Sequence, residues 1–505
     1  MRTPTMHHPA RPSRDSLASR EVVPLDAPPP LVEELVPAPL PLEAWDRLAA
    51  LPYCLFLDSA LELSEVGRYS FLAADPFAVT ACLAGDTGAL FRLAADARQY
   101  AAARVPGLPP FQGGVAGLWS YDLNRQLERL PVPALDEFEV PALAVGWYDV
   151  VLAWDHEAGR AWLFSHGLPE AEPAARRRRA AERLAEMRAW LAAPPGSAAR
   201  ARRSDSRGVA IVAQSGRPPL DRAGLAPQYP LAAHERLTSN FSRDEYLAMI
   251  RRAVEYIHAG DVFQVNLAQR LLHPATDDSR ALYRRLRERN AAPFAAYFDA
   301  GDYQILSASP ERFLRVGDGQ VETRPIKGTR RRSSSPEADL FTGDELQASV
   351  KDRAENVMIV DLLRNDLARV CRPASVCVRE LCRVETYRFV KHLVSVVEAQ
   401  LDEHRDAWDL LAAAFPGGSI TGAPKVRAMQ LIAELEPTAR GAYCGALGYV
   451  GFDGTADMNI LIRTITAGRG WWQAHVGGGI VADSDPRDEY QETWHKAEGL
   501  LRAML

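Results

Sequence analysis

From about residue 50 the apolar positions come in short runs of strand length, broken by turn residues. Residues 54–58 (CLFLD), 70–85 (SFLAADPFAVTACLAG), 114–123 (GVAGLWSYDL) and 142–167 are such runs. In the last of them DHEAG separates two apolar-aromatic halves as a hairpin turn does. The period then lengthens. Residues 174 to 192 have helical composition, with Leu184, Met187, Trp190 and Leu191 on one side. Further on, Ser242 and Glu245 form a capping box ahead of Tyr246, Ile250, Val254 and Ile257, and Gly260 stands at the expected stop. Strands and helices then alternate to the end. QVNLAQR, FAAYFD, YQILSAS, GYVGFD and MNILIRTITA read as strands, and ELQASVKDRAENVMIVDLLRNDLARV as one long helix. A final helix begins near Pro486, after the glycine-rich loop VGGGIVADSD.

These elements suggest four stretches: a loose Pro/Arg/Ser-rich arm over residues 1–30, an N-terminal region over 31–192, a linker or insertion over 193–240, and a C-terminal region over 241–505. A net charge of −6 over 505 residues, with both signs mixed, gives no reason to expect nucleic acid or an anionic membrane. The Arg run in 176–179 lacks the aromatic platform of a nucleic-acid site and reads as a solvated helix face. No apolar run is long enough to cross a bilayer and the opening residues lack a secretory apolar segment, so the expected location is cytoplasmic. Six cysteines, at 54, 82, 371, 377, 382 and 444, match neither a disulfide framework nor a zinc pattern and are expected to be free thiols.

Chemistry concentrates in the second half. In the final helix Glu489, Glu492 and Lys496 are spaced by three, four and seven, which sets their head groups on one face. That face is either an exposed helix with an ordinary ion pair or a place for a hard cation such as Mg²⁺, which takes oxygen ligands. Glu355 sits beside the apolar stripe of the long helix, at a cleft edge or on a solvated flank. Lys327 in TRPIKGT follows a strand; exposed it would be inert, whereas buried its neutral amine would be a nucleophile. Glu311 in SASPERF can act as acid or base on the same substrate. FPGGSITGAPK lacks the GK[ST] ending of a phosphate loop. Arg463 and the glycines of VGGGIVADSD are suited to an anion.

Taken in order, SASPERF, TRPIKGT, AENVMIVDLLRND, KHLVSVVE, FPGGSITGAPKVRAM, YCGALGYVGFDG, LIRT and GGGIVADSDPRDEYQETWHKA resemble the chorismate-utilising enzymes, the family of anthranilate, aminodeoxychorismate and isochorismate synthases. The resemblance covers about residues 240 to 505, and more weakly LFLDS and GRYSFLAADP. It implies an α+β fold of two large antiparallel-rich sheets packed face to face with helices outside. It also implies that Glu355, Glu489 and Glu492 serve a Mg²⁺ site holding the chorismate ring carboxylate. Arg463, Tyr449 and the backbone of Gly477, Gly478 and Gly479 would hold the enolpyruvyl side, with His392, Ser419, Thr421 and Lys496 lining the pocket. In the N-terminal half Asp58, Ser59, Tyr69, Ser70 and Phe71 would line a cavity for tryptophan, or else be plain core.

Within that family PIKGT resembles the aminodeoxychorismate branch, where anthranilate synthases have PIAGT, and Gln264 stands where isochorismate synthases have a lysine base. The implied reaction is amination of chorismate by ammonia, with Lys327 as covalent nucleophile and Glu311 as proton donor to the departing C4 hydroxyl. The alternatives are an anthranilate synthase component, or a silent chorismate- or tryptophan-binding regulator. No glutaminase signature is present, so a separate glutamine amidotransferase subunit is the expected ammonia source.

Overall fold

Strand alternation decides the architecture, because successive side chains must go to opposite faces and both faces here are covered. The computed structural model describes residues 28–61, 66–197, 216–231, 234–332, 335–387 and 390–505. Most of the expected arm, and residues 198–215 of the expected linker, lie outside those residues. Two antiparallel sheets, of thirteen and ten strands, hold the described chain together.

In the larger sheet the strands run, edge to edge, Leu31–Leu35, Arg160–Ser165, Val150–Asp155, Tyr69–Ala73, Leu55–Asp58, Phe294–Asp299, Tyr303–Ser309, Thr464–Gly468, Trp471–Ile480, Gln264–Pro274, His234–Ser239 and Tyr229–Leu231. The two-residue strand Gly422–Ala423 also pairs with Gln264–Pro274. The smaller sheet runs Ile326–Arg331, Val390–Gln400, Gln320–Thr323, Arg312–Gly317, Ala456–Ile460, Ala446–Gly451, Gly114–Trp119, Leu143–Tyr148 and Ala78–Cys82, with Cys377–Thr386 also on Val390–Gln400. Both sheets mix strands from before and after residue 240. That position therefore divides the sequence and not the packing, and Tyr229–Leu231 and His234–Ser239, from the expected linker, are the last two strands of the larger sheet.

Between the sheets Leu55, Phe71, Phe298 and Tyr449 share one core with Phe111 and Tyr148. One residue along, Phe56 points to the outer face and packs with Trp45 and Tyr283, whose rings meet edge-on at 5.4 Å. Each such aromatic contributes on the order of 1.5–3 kcal/mol by leaving water. The helices Ser279–Arg289 and Pro486–Met504 cover this outer face. The expected α+β arrangement is the one observed.

Three elements differ from expectation, each for a local reason. The single long helix is two, Pro336–Ala348 and Val350–Ala368, because Ser349 leaves the helical conformation and its hydroxyl accepts the Asp352 amide. MNILIRTITA is two strands in different sheets: the chain crosses at Leu461–Ile462 and turns at Arg463, whose φ is 52°. The glycines expected in a loop belong to the strand Trp471–Ile480. The capping box at Ser242 forms as expected, and Asp485 caps the last helix. Of the Arg run in helix Pro173–Ala192, Arg176 and Arg179 donate to the carbonyls of His166 and Leu168. The six cysteines are free, and no helix among the described residues is long and apolar enough to cross a membrane.

A buried ion pair ties the layers behind the cleft. Arg440 donates to Glu436 and to the carbonyls of Ile420 and Asn266, while Glu436 accepts the Ala268 amide. Arg440→Met would strand the Glu436 charge. We predict a loss of about 3–5 kcal/mol in urea unfolding; a loss under about 1 kcal/mol would show that the pair is dispensable.

Candidate active site

The cleft is built where strand ends from both sheets meet two helix starts. In the strand Ile326–Arg331 the register against Val390–Gln400 slips between Ile326 and Thr329, which makes a bulge at Lys327 and Gly328. Gly328 takes φ +81°, and a Cβ there would lie 2.8 Å from Leu346. The bulge turns Lys327 into the cleft, with its Nζ 4.0 Å from the Glu355 carboxylate and its side chain 13% exposed. Burial lowers the Lys327 amine from its ordinary value, Glu355 opposes that, and the Lys496 charge adds to it. The lysine is thus largely shielded from solvent.

Glu489 and Glu492 face the end of the strand Trp471–Ile480, where the lack of side chains at Gly478 and Gly479 makes the space. A Cβ on Gly478 would lie 3.1 Å from Glu489 Oε2 and 3.8 Å from Glu492 Oε1. One on Gly479 would lie 2.6 Å from Gln264 Nε2 and 3.4 Å from Lys327 Nζ. Gln264 is fully buried, and its amide atoms have no partner among the described residues. Glu489 accepts from Ser484 Oγ at 2.6 Å, and burial followed by the Glu492 charge raises its carboxyl. Lys496 Nζ pairs with Glu492 at 2.6 Å and donates to the Gly477 carbonyl at 2.9 Å. No group of three His, Cys, Asp or Glu among the described residues is already assembled for an ion. The donor set still suits Mg²⁺, since the two carboxylates on one helix face converge on Gly478 and Glu492 also acts on Glu355.

Across the cleft Glu311 is 4% exposed, and burial raises its carboxyl to about 7 against the lowering effect of a Ser419 hydrogen bond and the Lys327 charge. Thr421 donates to the Gly417 carbonyl at 2.9 Å, inside the turn that carries Ser419. Arg463 donates to the Lys496 carbonyl at 2.7 Å; burial pushes its guanidinium down, and Tyr443 and Glu492 oppose this. His392 shares a 2.8 Å hydrogen bond between Nδ1 and Thr329 Oγ1. Burial and the Arg463 charge lower its imidazole to about 4.

Tyr449 is not in this group. It lies between the sheets, stacked on Phe111 at 4.3 Å, and lines a second cavity of about 500 Å³. Six residues earlier, Tyr443 is the tyrosine that acts on Arg463, with its ring stacked on His475 at 5.2 Å. Tyr443 lies in the turn just before the strand Ala446–Gly451 that carries Tyr449. Lys351 was also missed: its charge acts on Glu355, Glu489 and Glu492 together. A signal for it exists, because only five of the chain's 59 basic residues are lysine, and three of the five, Lys327, Lys351 and Lys496, act on this cleft.

The second cavity is walled by Tyr69, Phe71, Phe294, Tyr449 and Met458. Asp58 and Ser59 line it too, whereas Ser70 does not, and the Asp58 carboxylate is taken up elsewhere. Strand alternation turns the Asp58 carboxylate outward, where Tyr283 Oη and Arg287 Nε donate to it at 3.0 and 2.5 Å. Ser70 Oγ accepts the Ser59 amide and bonds His156 at 2.7 Å, and Ser59 Oγ donates to the Tyr69 carbonyl.

Residues 54–502 match the family model described as chorismate binding enzyme. The chain is 41% identical over 475 residues to aminodeoxychorismate synthase component 1 of Klebsiella aerogenes, covering 90% of this chain and 95% of that one. It is also 42% identical over 401 residues to anthranilate synthase component 1 of Thermus thermophilus, covering 79% of each. Among solved structures, anthranilate synthase component I of Streptococcus pneumoniae superposes with a TM-score of 0.70 at 30% identity, covering 87% of this chain and 93% of that one.

A titration of His392 checks the electrostatics of the cleft. Its imidazole is predicted to stay neutral down to about pH 4, read by NMR with a His392→Gln variant to assign the signal. A midpoint at the ordinary histidine value would contradict the burial described.

Proposed function

The chain belongs to the chorismate-binding enzymes, and from that premise we propose that it aminates chorismate at C4 to give 4-amino-4-deoxychorismate, the precursor of 4-aminobenzoate and folate. One observation carries the reading: a buried amine, Lys327, stands inside the cleft 4.0 Å from Glu355. A component that merely binds chorismate has no use for a nucleophile whose charged form burial disfavours.

The steps follow from the residues. Arg463 holds a carboxylate of the substrate, since a guanidinium donates to both its oxygens. Mg²⁺, when bound by Glu355, Glu489 and Glu492, would hold the ring carboxylate and draw electron density from the ring. Neutral Lys327 attacks C2 while the C4–O bond breaks, and Glu311 gives its proton to the leaving hydroxyl, which departs as water. Ammonia then bonds to C4, the C2–N bond to Lys327 breaks, and the proton released by the new amine returns to the Glu311 carboxylate. Dividing one difficult substitution into two is what covalent catalysis supplies.

The word component in the relatives' names supports a second subunit, and we assign it the chemistry of a glutamine amidotransferase delivering ammonia. Similarity to anthranilate synthases of the same degree keeps anthranilate as the competing product. In an assay with chorismate, ammonia and Mg²⁺, mass spectrometry is expected to find aminodeoxychorismate. Anthranilate alone would replace this reading with the alternative. Lys327→Ala is expected to lose amination by about two orders of magnitude or more, and near-normal turnover would remove the covalent step.

The pH dependence has a definite sign. Glu311 acts while protonated, so kcat should fall as pH rises through about 7. Glu311→Gln should lower kcat by roughly 10²–10⁴ and remove that limb. A limb that survives the substitution would belong to another group.

A further inference from the structure

Ser419 lies on a short buried turn, Gly418–Ile420. The residue is 6% exposed, and its Oγ donates to Glu311 Oε1 at 2.7 Å. The turn is fixed from outside. Thr421 closes it by donating to Gly417, Arg440 holds the Ile420 carbonyl, and Gly418 lies so close to Leu362 that a Cβ would come within 2.7 Å. The hydroxyl therefore meets Glu311 in a set geometry. Resting on the reading of Glu311 as proton donor, we propose that Ser419 is a positioning residue: by donating to Oε1 it keeps the carboxyl proton on Oε2, the oxygen left for the substrate's departing hydroxyl.

The chemistry is balanced within that pair. A carboxyl carries one acidic proton, and an oxygen already accepting a strong hydrogen bond is the poorer place for it. When Oε2 gives its proton to the leaving hydroxyl, the charge that appears on Glu311 is stabilised by the bond already in place. When the new amine returns a proton, the same bond sends it back to Oε2. Other groups face Glu311 too: the Lys327 amine, the Ile326 amide and the Cys444 thiol. Lys327 and Ile326 favour the carboxylate as Ser419 does, but Ser419 is the side-chain donor that selects one oxygen.

Ser419→Ala and Ser419→Thr test this in the full-length protein with saturating ammonia and Mg²⁺. Ser419→Ala should lower kcat about 10- to 100-fold with KM changed less than about threefold. It should also move the alkaline limb upward by roughly half to one pH unit, since a donor to the carboxylate is gone. Ser419→Thr, which keeps the hydroxyl, should restore both. Infrared difference spectra of the carboxylic C=O, assigned with Glu311→Gln, read the proton on Glu311 without any turnover. The same upward shift is expected there for Ser419→Ala. If the infrared midpoint and the limb both stay put while kcat falls, Ser419 acts only through packing and the proposal fails. If the infrared midpoint moves but no aminated product forms in any variant, the reading of the reaction fails and the Ser419–Glu311 pairing stands.

Discussion

An amine kept out of water beside carboxylates is the constraint around which this cleft is organised. Removing an ammonium from water is costly, so burial favours the neutral form, while each nearby carboxylate favours the charged one. Lys327 sits on the side of that balance where burial is the larger effect, with Lys496 adding to it and Glu355 and Glu311 opposing it. A cation shared by the carboxylates would weaken the opposition further, because it draws the negative charge away from the lysine. Lys327, Glu311 and the carboxylates of Glu355 and Glu492 are thus one coupled electrostatic system, and altering any member alters the rest.

The two-sheet fold makes such a cleft possible. Strands from both halves of the sequence interleave in each sheet, so the floor of the site is as rigid as the core beneath it. Function enters where the regular pattern is broken: a bulge at Lys327, a left-handed residue at Arg463 where the chain changes sheets, and three glycines at the end of a central strand. Each break removes a side chain or turns one, and together they leave a space edged by carboxylates on one side and cations on the other. The second cavity lies between the sheets and is lined by Tyr69, Phe71 and Tyr449. Asp58 and Ser70 obey strand alternation and are used on the far face.

Much of this was legible in the residues, and the failures have physical causes. Apolar runs located the central strands because these are buried on both faces and cannot tolerate polar interruption. The spacing of Glu489, Glu492 and Lys496 was enough to place three head groups on one helix face, as found. What spacing could not carry was anything set by a long-range partner. The break at Ser349 depends on one side-chain cap, and the split in MNILIRTITA on one residue's φ. The difference between Tyr443 and Tyr449 depends on where the turn ends and the strand begins, which stacks one on His475 and the other on Phe111. Lys351 is a different case: its spacing to Glu355 is ordinary, and only the scarcity of lysine in an arginine-rich chain marks it.

That scarcity also makes the central claim directly measurable. With five lysines, ¹³C-labelled side chains give few enough signals for Lys327 to be assigned by a single Lys327→Arg variant. A pH titration of its Cε resonance should show the amine losing its proton below the ordinary value of 10.5 in the free protein. A midpoint at or above that value would mean an ammonium held by its carboxylates, and a cleft built around an ion pair instead of a nucleophile.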